Sequence, residues 1–274
     1  MLFLLSVFIF QKGLVFHAAM QYFYIPEQIR YEYPRRAEEG GGALEFSFSA
    51  DRNIKIERLG EEEQPVVIID NALGDPDAFV ANAAIQTYGK IGPYYPGMRA
   101  PLPAQFNEGF CAAIAPIIAK NFSIETEHWR GECFYSLVTT PPERLAPIQR
   151  LPHYDGVEQN RMAALIYLCP EYFGGTAFYR HKSTGFETVT ADRFNQFRQA
   201  LEQEVREVGL PSAHYIGNGA PLFERTRLID AALNRMLIYR GVNLHCSAID
   251  NNAPLPADPK HGRLTITAFL MPAP

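Results

Sequence analysis

Two histidines and an aspartate have the residue types and the spacing of metal ligands. His153 and Asp155 are two residues apart in the segment LPHYDG, and His245 follows much later in VNLHCS. On an extended backbone, residues i and i+2 project from the same face, so the His153 imidazole and the Asp155 carboxylate point to one place. Two histidines and one carboxylate on one face of an octahedral ion form the facial triad of non-haem Fe(II) oxygenases, which leaves positions open for a co-substrate and O₂.

The H-x-D pattern has a structural explanation as well. The chain contains seven histidines, and a surface histidine hydrogen-bonded to a neighbouring carboxylate gives the same two-residue spacing. A lone histidine such as His245 also occurs as an ordinary core or surface residue. The pattern by itself therefore leaves both readings open.

A second candidate for chemistry lies near the C-terminus. Period-two alternation places Arg263, Thr265 and Thr267 on one face of a predicted strand, and apolar residues on the other. An arginine presents a planar fork of donors that matches a carboxylate, and threonine adds a hydroxyl. This face predicts a receptor for a carboxylate, and the alternative is an arginine paired with an acidic residue at a sheet edge.

The elements that must position these residues are mostly short strands. The sequence predicts strands at Ala43–Phe48, Ile54–Arg58, Val66–Asp70, Cys133–Thr140, Met162–Leu168, Thr176–Arg180, Met236–Arg240, Leu244–Ser247 and Arg263–Met271. It predicts helices at Pro76–Tyr88, Ala104–Lys120 and Ala191–Val208, and it leaves Tyr94–Pro103, rich in Pro and Gly, without a regular element. Many short strands with helices packed outside indicate a mainly β fold of the jelly-roll type. No glycine-rich phosphate loop is present, which argues against kinases, ATPases and nicotinamide enzymes.

Composition sets broad limits on the function. The 274 residues are 47% hydrophobic and carry a formal net charge of −5, which is typical of a globular protein and unlike a dedicated nucleic-acid-binding protein. The four cysteines contain no C-x-x-C pair, and we expect four reduced, buried thiols in a cytoplasmic protein.

The chain divides into an N-terminal arm, residues 1–42, and one domain, residues 43–274. The segment EEGGG at residues 38–42 marks the boundary. Residues 2–10 are apolar but fall short of the roughly 20 residues that span a bilayer. They could form a segment docked on the domain or a signal peptide, or translation could start at Met20.

The order of these features resembles that of the Fe(II)- and 2-oxoglutarate-dependent dioxygenases. The resemblance is densest in QRLPHYDGVEQNRMAALIYLCPEYFGGTAFYRH and in NRMLIYRGVNLHCSAIDNNAPLPADPKHGRLTITAFL. The opening VVIIDNALGDPDAF is similar to the first strand and helix of the prolyl-hydroxylase-like branch. The resemblance implies a double-stranded β-helix, which is a jelly roll, with Fe(II) as metal and 2-oxoglutarate as co-substrate.

The resemblance also implies roles for individual residues. His153, Asp155 and His245 match the metal ligands. Arg263 matches the residue that pairs with the distal carboxylate of 2-oxoglutarate, and Thr265 matches the hydroxyl that accompanies it. Tyr135 lies near the position of a co-substrate-binding tyrosine in related enzymes, with Tyr167 as the competing candidate.

Three functional classes follow from the sequence. The first is a 2-oxoglutarate-dependent hydroxylase acting with O₂ on a small molecule, amino acid or peptide. The second is a cupin-like metalloenzyme that uses the same ligands without a keto acid, and the third is a non-catalytic jelly-roll binding protein. The segment from Tyr94 to Arg99 is either a lid on which Arg99 meets an anionic group or a packed surface loop. The sequence leaves the substrate and the oligomeric state open.

Overall fold

The computed structural model describes residues 44–92, 94–126, 128–217 and 219–273. The N-terminal arm, and with it the predicted boundary at residue 42, lies outside the described residues. In the described part, three α-helices accompany two antiparallel sheets. The helices are α1 (Pro76–Ala84), α2 (Ala104–Phe122) and α3 (Phe194–Val208). The strands are β1 (Asn53–Leu59), β2 (Gln64–Asp70), β3 (Gly97–Pro101), β4 (Trp129–Val138), β5 (Met162–Tyr167), β6 (Gly175–His181), β7 (Gly219–Ala220), β8 (Phe223–Ile229), β9 (Met236–Arg240), β10 (His245–Ala248) and β11 (Arg263–Pro272).

The two sheets exchange strands along the chain. The larger sheet has the order β1-β2-β9-β5-β11-β4-β3, and the smaller sheet has the order β10-β6-β8-β7. His153 forms an isolated antiparallel bridge with His245, which adds the H-x-D segment to the β10 edge of the smaller sheet. From β4 onward the chain therefore alternates between the two sheets. Strands β4, β5, β9 and β11 belong to the larger sheet. Between them, the chain adds His153, then β6 and β8, and then β10 to the smaller sheet.

Helices α1 and α2 cover one face of the larger sheet. Helix α2 buries Phe106, Phe110, Ile114 and Ile118 at four-residue spacing, which places them on one stripe of the helix. This stripe packs against strand residues of the larger sheet in the main hydrophobic core. Asp75 caps the start of helix α1, and its side chain accepts a hydrogen bond of 3.0 Å from the Ala78 amide.

A second core fills the space between the two sheets. Leu165 and Tyr167 of β5 and Leu237 and Tyr239 of β9 lie there with Phe178 of β6. Helix α3 closes a third core on the other side of the smaller sheet through an amphipathic face that includes Phe197, Leu201 and Val205. The larger sheet is therefore buried on both faces, which explains the continuous apolar run of β5.

Five expectations about secondary structure need correction. The predicted strand at Ala43–Phe48 is reduced, in the described part, to a single bridge of Phe48 with Leu73. Helix α1 ends at Ala84, earlier than Tyr88, and α3 begins at Phe194 after a turn. The sequence pattern does not predict strand β8, because FERTRLI is polar and mostly half-buried between its buried ends.

Strand β3 is the fifth correction and the one that bears on the site. It lies inside Tyr94–Pro103, for which the sequence predicts no regular element. Of the named strands it pairs only with β4. On its other edge Arg99 forms an isolated bridge with Gly89, and Pro101 lies beyond this bridge, at the strand end where proline is tolerated. A Cβ atom on Gly97 would lie 2.1 Å from the Leu137 carbonyl oxygen, so glycine is required for the close approach of β3 to β4.

The four cysteines are all buried and free, as the sequence indicated. Among the described residues, no helix is both long enough and apolar enough to cross a membrane.

Candidate metal centre

The fold brings His153, Asp155 and His245 together. The His153 amide donates to the His245 carbonyl at 2.9 Å, and the His245 amide donates back to His153 at 2.8 Å. The Asp155 amide donates to the Gly241 carbonyl at 2.7 Å, which fixes the third residue beside the pair. The backbone of two distant segments therefore holds the three side chains at one point.

The spacing of the three side chains suits an ion between them. One ligand atom from each residue can be chosen so that all lie within 4.8 Å of one another. The Asp155 carboxylate oxygens are 3.9 Å from His153 Nε2 and 3.7 Å from His245 Nε2. These distances are too long for hydrogen bonds. A metal ion binds nitrogen and oxygen ligands at about 2.1 Å, so two atoms bound to the same ion lie at most about 4.2 Å apart. Both distances fall within that limit.

The Asp155 carboxylate lacks the partners that a buried charge needs. Its Oδ2 atom is buried and has no hydrogen-bond donor. Burial raises the pKa of Asp155, and the charges of His245, Arg161 and Arg99 oppose that rise. A buried carboxylate oxygen without a donor is unfavourable unless a cation neutralises it, so these residues fit a bound metal ion.

The neighbouring backbone sets the tautomer of His245. Its Nδ1 lies 2.8 Å from the Asn243 carbonyl oxygen, and since that oxygen can only accept, Nδ1 carries the proton. The lone pair is therefore on Nε2, the atom that faces Asp155. Metal-binding histidines are commonly oriented in this way. The Tyr239 ring packs against His245 with centroids 4.9 Å apart and restricts its rotation.

His153 forms the open side of the cluster. About half of its side chain, 51%, is accessible, whereas His245 is 6% accessible. Desolvation, together with the charges of His245 and Arg99, lowers the pKa of His153 well below its usual range. A lowered pKa favours the neutral imidazole, which is the form of histidine that binds a metal ion.

Arg263 lies on the face of β11 between the two sheets. The side chain is buried, with a residue accessibility of 2%, and its guanidinium lies 5.8 Å from the centroid of the Tyr167 ring. Its Nε donates to the Phe173 carbonyl at 3.1 Å, and Nη2 donates to the Gly175 carbonyl at 3.2 Å. Among the described residues, no carboxylate forms an ion pair with it.

Thr265 shares the face of Arg263, two residues along β11. Its hydroxyl donates to the Ser136 carbonyl at 3.3 Å and is buried. Tyr167 lies directly opposite Thr265 in the register of β5 and β11, and its hydroxyl is hydrogen-bonded to Thr176 at 2.6 Å. The structure therefore brings Arg263, Thr265 and Tyr167 to the same inter-sheet space.

Tyr135 does not reach this space, contrary to the expectation from sequence. It pairs with Ile266 in the β4–β11 register, so it occupies the opposite face from Arg263 and Thr265. Its ring lies in the core beneath α1 and α2, and its hydroxyl donates to Asn82 Oδ1 at 3.1 Å. Successive residues of a strand point to opposite faces, so Ser136 shares the face of Thr265 and its neighbour Tyr135 lies on the other face.

Sequence reasoning missed two residues that contact the cluster. The Tyr239 ring packs on His245. The charge of Arg161 opposes the rise that burial causes in the pKa of Asp155, and the Arg161 carbonyl accepts a hydrogen bond of 2.8 Å from the Gly241 amide. Tyr239 sits in an apolar strand pattern that gives no sign of the contact. Arg161 stands directly before β5, six residues after Asp155, and that position was the only available signal.

The model of a family of unknown function, DUF6445, matches residues 50–270. The chain belongs to this family. The match spans the whole candidate site of this DUF6445 member, from β3 to β11. No curated protein matches the sequence.

Solved structures include distant matches to this DUF6445 member. HygX from Streptomyces hygroscopicus, in its apo form, matches with 13% identity and a TM-score of 0.43 over 78% of this chain and 86% of that chain. HygX with nickel and 2-oxoglutarate bound matches with 12% identity and a TM-score of 0.39 over 76% and 83%. An N-substituted L-amino acid dioxygenase from Burkholderia ambifaria AMMD matches with 9% identity and a TM-score of 0.35 over 79% and 93%.

Proposed function

We propose that this protein is an Fe(II)- and 2-oxoglutarate-dependent oxygenase that hydroxylates a small molecule, amino acid or peptide. The observation that carries the proposal is the cluster of His153, Asp155 and His245, with its unpartnered buried carboxylate oxygen and its open side at His153. Two imidazoles and one carboxylate are the donor set of non-haem Fe(II) oxygenases.

The strand order supports a double-stranded β-helix for this domain. The chain passes repeatedly between the larger and the smaller sheet, so segments distant in sequence become neighbours. The H-x-D segment and β10 are joined in this way through the bridge of His153 with His245. The β2–α1 unit and its Asp75 cap support placement in the prolyl-hydroxylase-like branch of the superfamily.

In this proposal Arg263 and Thr265 bind the distal carboxylate of 2-oxoglutarate. A buried guanidinium without an acidic partner among the described residues gains most from an anion in a site of low dielectric. Tyr167, which shares their face, takes the place proposed from sequence for Tyr135. A cytoplasmic location is part of the proposal, because four free thiols suit a reducing compartment.

The residues of the chain then have separate tasks. His153, Asp155 and His245 hold the metal, Asn243 orients His245 through its carbonyl, and Tyr239 shields the buried side. Bound Fe(II) and the keto acid supply the oxidising chemistry: O₂ places one oxygen atom in succinate and one in the product, and CO₂ is released. The protein contributes orientation, charge neutralisation and exclusion of water.

One observation favours a keto-acid-independent metalloenzyme as a second candidate. Both hydrogen bonds of Arg263 go to backbone carbonyls, those of Phe173 and Gly175. A guanidinium used to hold the start of β6 has a structural role that needs no anion. Under this alternative the metal ligands are unchanged and Arg263 takes no part in catalysis.

Anaerobic titration with Fe(II) and then 2-oxoglutarate tests the proposal. We expect a visible metal-to-ligand charge-transfer band in the wild type, its loss in His153→Ala, and a need for at least tenfold more 2-oxoglutarate in Arg263→Lys. His214→Ala, at an exposed histidine outside the cluster, is the matched control and should behave as wild type. Metal binding without the band would favour the second candidate, and no metal binding would refute both.

A further inference from the structure

The Asn243 carbonyl, which orients His245, is held by the backbone around it. This carbonyl accepts a hydrogen bond of 2.8 Å from His245 Nδ1. The Asn243 side chain is buried, but neither its Oδ1 nor its Nδ2 has a hydrogen-bond partner among the described residues. The side chain therefore does not anchor the carbonyl, whose position depends on the hydrogen bonds of the neighbouring backbone.

Two residues of an adjacent segment, Glu187 and Thr188, pair with this backbone. The amide of Leu244, the residue between Asn243 and His245, donates to the Glu187 carbonyl at 2.8 Å. Thr188 forms an isolated antiparallel bridge with Asn243 itself. A displacement of residues 187 and 188 would therefore move the Asn243 carbonyl relative to His245 Nδ1.

The Glu187 side chain extends into the turn between β1 and β2. Its Oε1 and Oε2 atoms accept hydrogen bonds from the amides of Glu61 and Glu62, at 3.1 Å and 3.0 Å. Gly60 leaves the space for this carboxylate, since a Cβ atom at that position would lie 2.0 Å from Glu187 Oε2. The Arg180 guanidinium donates to Glu187 Oε1 at 2.7 Å and 2.9 Å and balances its charge. Glu187 thus joins the β1–β2 turn to the segment that holds Asn243.

Glu62 joins the same two segments in the opposite direction. Its Oε1 accepts from the Glu187 amide at 3.0 Å, and its Oε2 accepts from the Thr188 hydroxyl at 2.5 Å. Arg193, directly before α3, donates to Glu62 Oε1 at 2.6 Å. Each carboxylate therefore binds the backbone that carries the other, and we call this pair of residues the Glu62–Glu187 link.

A buried carboxylate is an inefficient way to stabilise a fold. Glu187 has an accessibility of only 6%, so its charge is largely removed from water. Desolvation offsets much of the attraction between buried charges, and apolar side chains of similar volume often stabilise a protein at least as well. A carboxylate does, however, hold its donors at short and well-defined distances. The Glu62–Glu187 link therefore contributes mainly geometry, and the geometry that it sets is that of residues 187 and 188.

We propose that Glu62 and Glu187 are positioning residues for His245. This inference rests on the proposed function, in which His245 is a metal ligand. The link fixes residues 187 and 188, these residues fix the Asn243 carbonyl, and the carbonyl holds the His245 ring with Nε2 towards the ion. Loss of a group that orients a metal ligand lowers metal affinity by about 10–100-fold, and we expect about three- to tenfold here because the link acts through intervening backbone.

Two measurements on Glu62→Gln test the proposal. Glutamine has one side-chain oxygen, so it cannot accept from both the Glu187 amide and the Thr188 hydroxyl as the carboxylate does. In a titration of the metal-free protein with Co(II), followed by the visible spectrum, we expect the Kd to rise about three- to tenfold. In the proton NMR spectrum of the metal-free protein, we expect the His245 Nδ1 proton to exchange with water faster than in wild type. The signal of this proton is identified by its absence in His245→Gln.

Glu57→Gln is the matched control. Like Glu62, Glu57 lies in the β1–β2 hairpin, and its side chain is 15% accessible against 19% for Glu62. Its carboxylate accepts from Arg227 Nε at 2.8 Å, so it also joins the hairpin to the smaller sheet, but at β8, which does not carry His245. We expect Glu57→Gln to lower the free energy of unfolding in urea without changing the Kd for Co(II) or the exchange of the His245 Nδ1 proton.

The proposal is refuted if both variants change the Kd for Co(II) equally. It is also refuted if Glu62→Gln lowers the free energy of unfolding but keeps the wild-type Kd and proton exchange, because the link is then purely structural. If Glu62→Gln does not fold, Thr188→Val, which removes one hydrogen bond to Glu62, must change both quantities in the same direction. Failure of wild type to bind Co(II) would refute the proposed function instead, and the exchange of the His245 proton, which needs no metal, would then decide on the link alone.

Discussion

Replacing Asp155 by asparagine should stabilise the metal-free protein while it abolishes metal binding. In the metal-free state the carboxylate is buried, Oδ2 has no donor, and the Nε2 lone pair of His245 faces it at 3.7 Å. Asparagine has nearly the same shape but no charge, and its amide can donate to His245 Nε2. The change therefore removes an unfavourable buried charge and adds a hydrogen bond.

The magnitude follows from the contacts that change. A buried acceptor without a partner costs about 1–3 kcal/mol, and a new hydrogen bond contributes about 1 kcal/mol. Allowing for imperfect geometry of the new bond, we expect Asp155→Asn to raise the free energy of unfolding by about 1–2 kcal/mol. For a domain of this size that corresponds to an increase in Tm of about 2–8 °C. Metal at 100 times its Kd should stabilise wild type by about 2.7 kcal/mol, which exceeds the effect of the substitution.

Thermal unfolding of chelator-treated and metal-loaded samples measures both effects. We expect the lowest Tm for wild type without metal and the highest Tm for wild type with metal. Asp155→Asn should have an intermediate Tm that is the same with and without metal. Asp51→Asn, at an exposed aspartate, is the matched control and should follow wild type in both conditions. A metal-free Asp155→Asn protein less stable than wild type would show that the carboxylate has favourable partners, and a metal-induced rise in Tm of that variant would show that Asp155 is not a ligand.

Three further predictions test separate parts of the structure. Tyr135→Phe should lower the free energy of unfolding by about 1 kcal/mol in urea, from the lost hydrogen bond, and leave the 2-oxoglutarate charge-transfer band unchanged. Gly174→Ala should cost about 3 kcal/mol or more in the same assay, because φ is 78° and a Cβ would lie 1.9 Å from the Ala248 carbonyl oxygen. Gly185→Ala, with φ of 73° but open space around it, should cost only about 1–2 kcal/mol. Burial lowers the pKa of His181 in the folded protein. Below about pH 6.5 the histidine gains a proton in the unfolded chain but not in the folded one, so the free energy of unfolding falls as the pH falls. His181→Gln should make the free energy of unfolding depend less on pH between pH 7 and pH 5.

Local patterns in the sequence were enough to predict most strands. The apolar run of β5 and the alternation of β11 are period-two signals that survive in the structure. The helix α2 pattern and the Asp75 cap are likewise local, since they depend on residues three and four apart. Where tertiary contacts decide, as in the polar strand β8 and in the Gly97 approach of β3 to β4, the sequence patterns were misleading or silent.

In the candidate site, too, local spacing predicts some features and the pairing of strands decides the others. The i, i+2 spacing of His153 and Asp155 put both on one side of an extended segment before any fold was known. The meeting with His245 and the location of Tyr135 beneath the helices depend on which strands pair and in what register. Periodicity along one strand determines which residues share a face. Which of the two faces borders the site depends on how the two sheets pack, because the sheets pack so as to bury apolar surface from the whole chain.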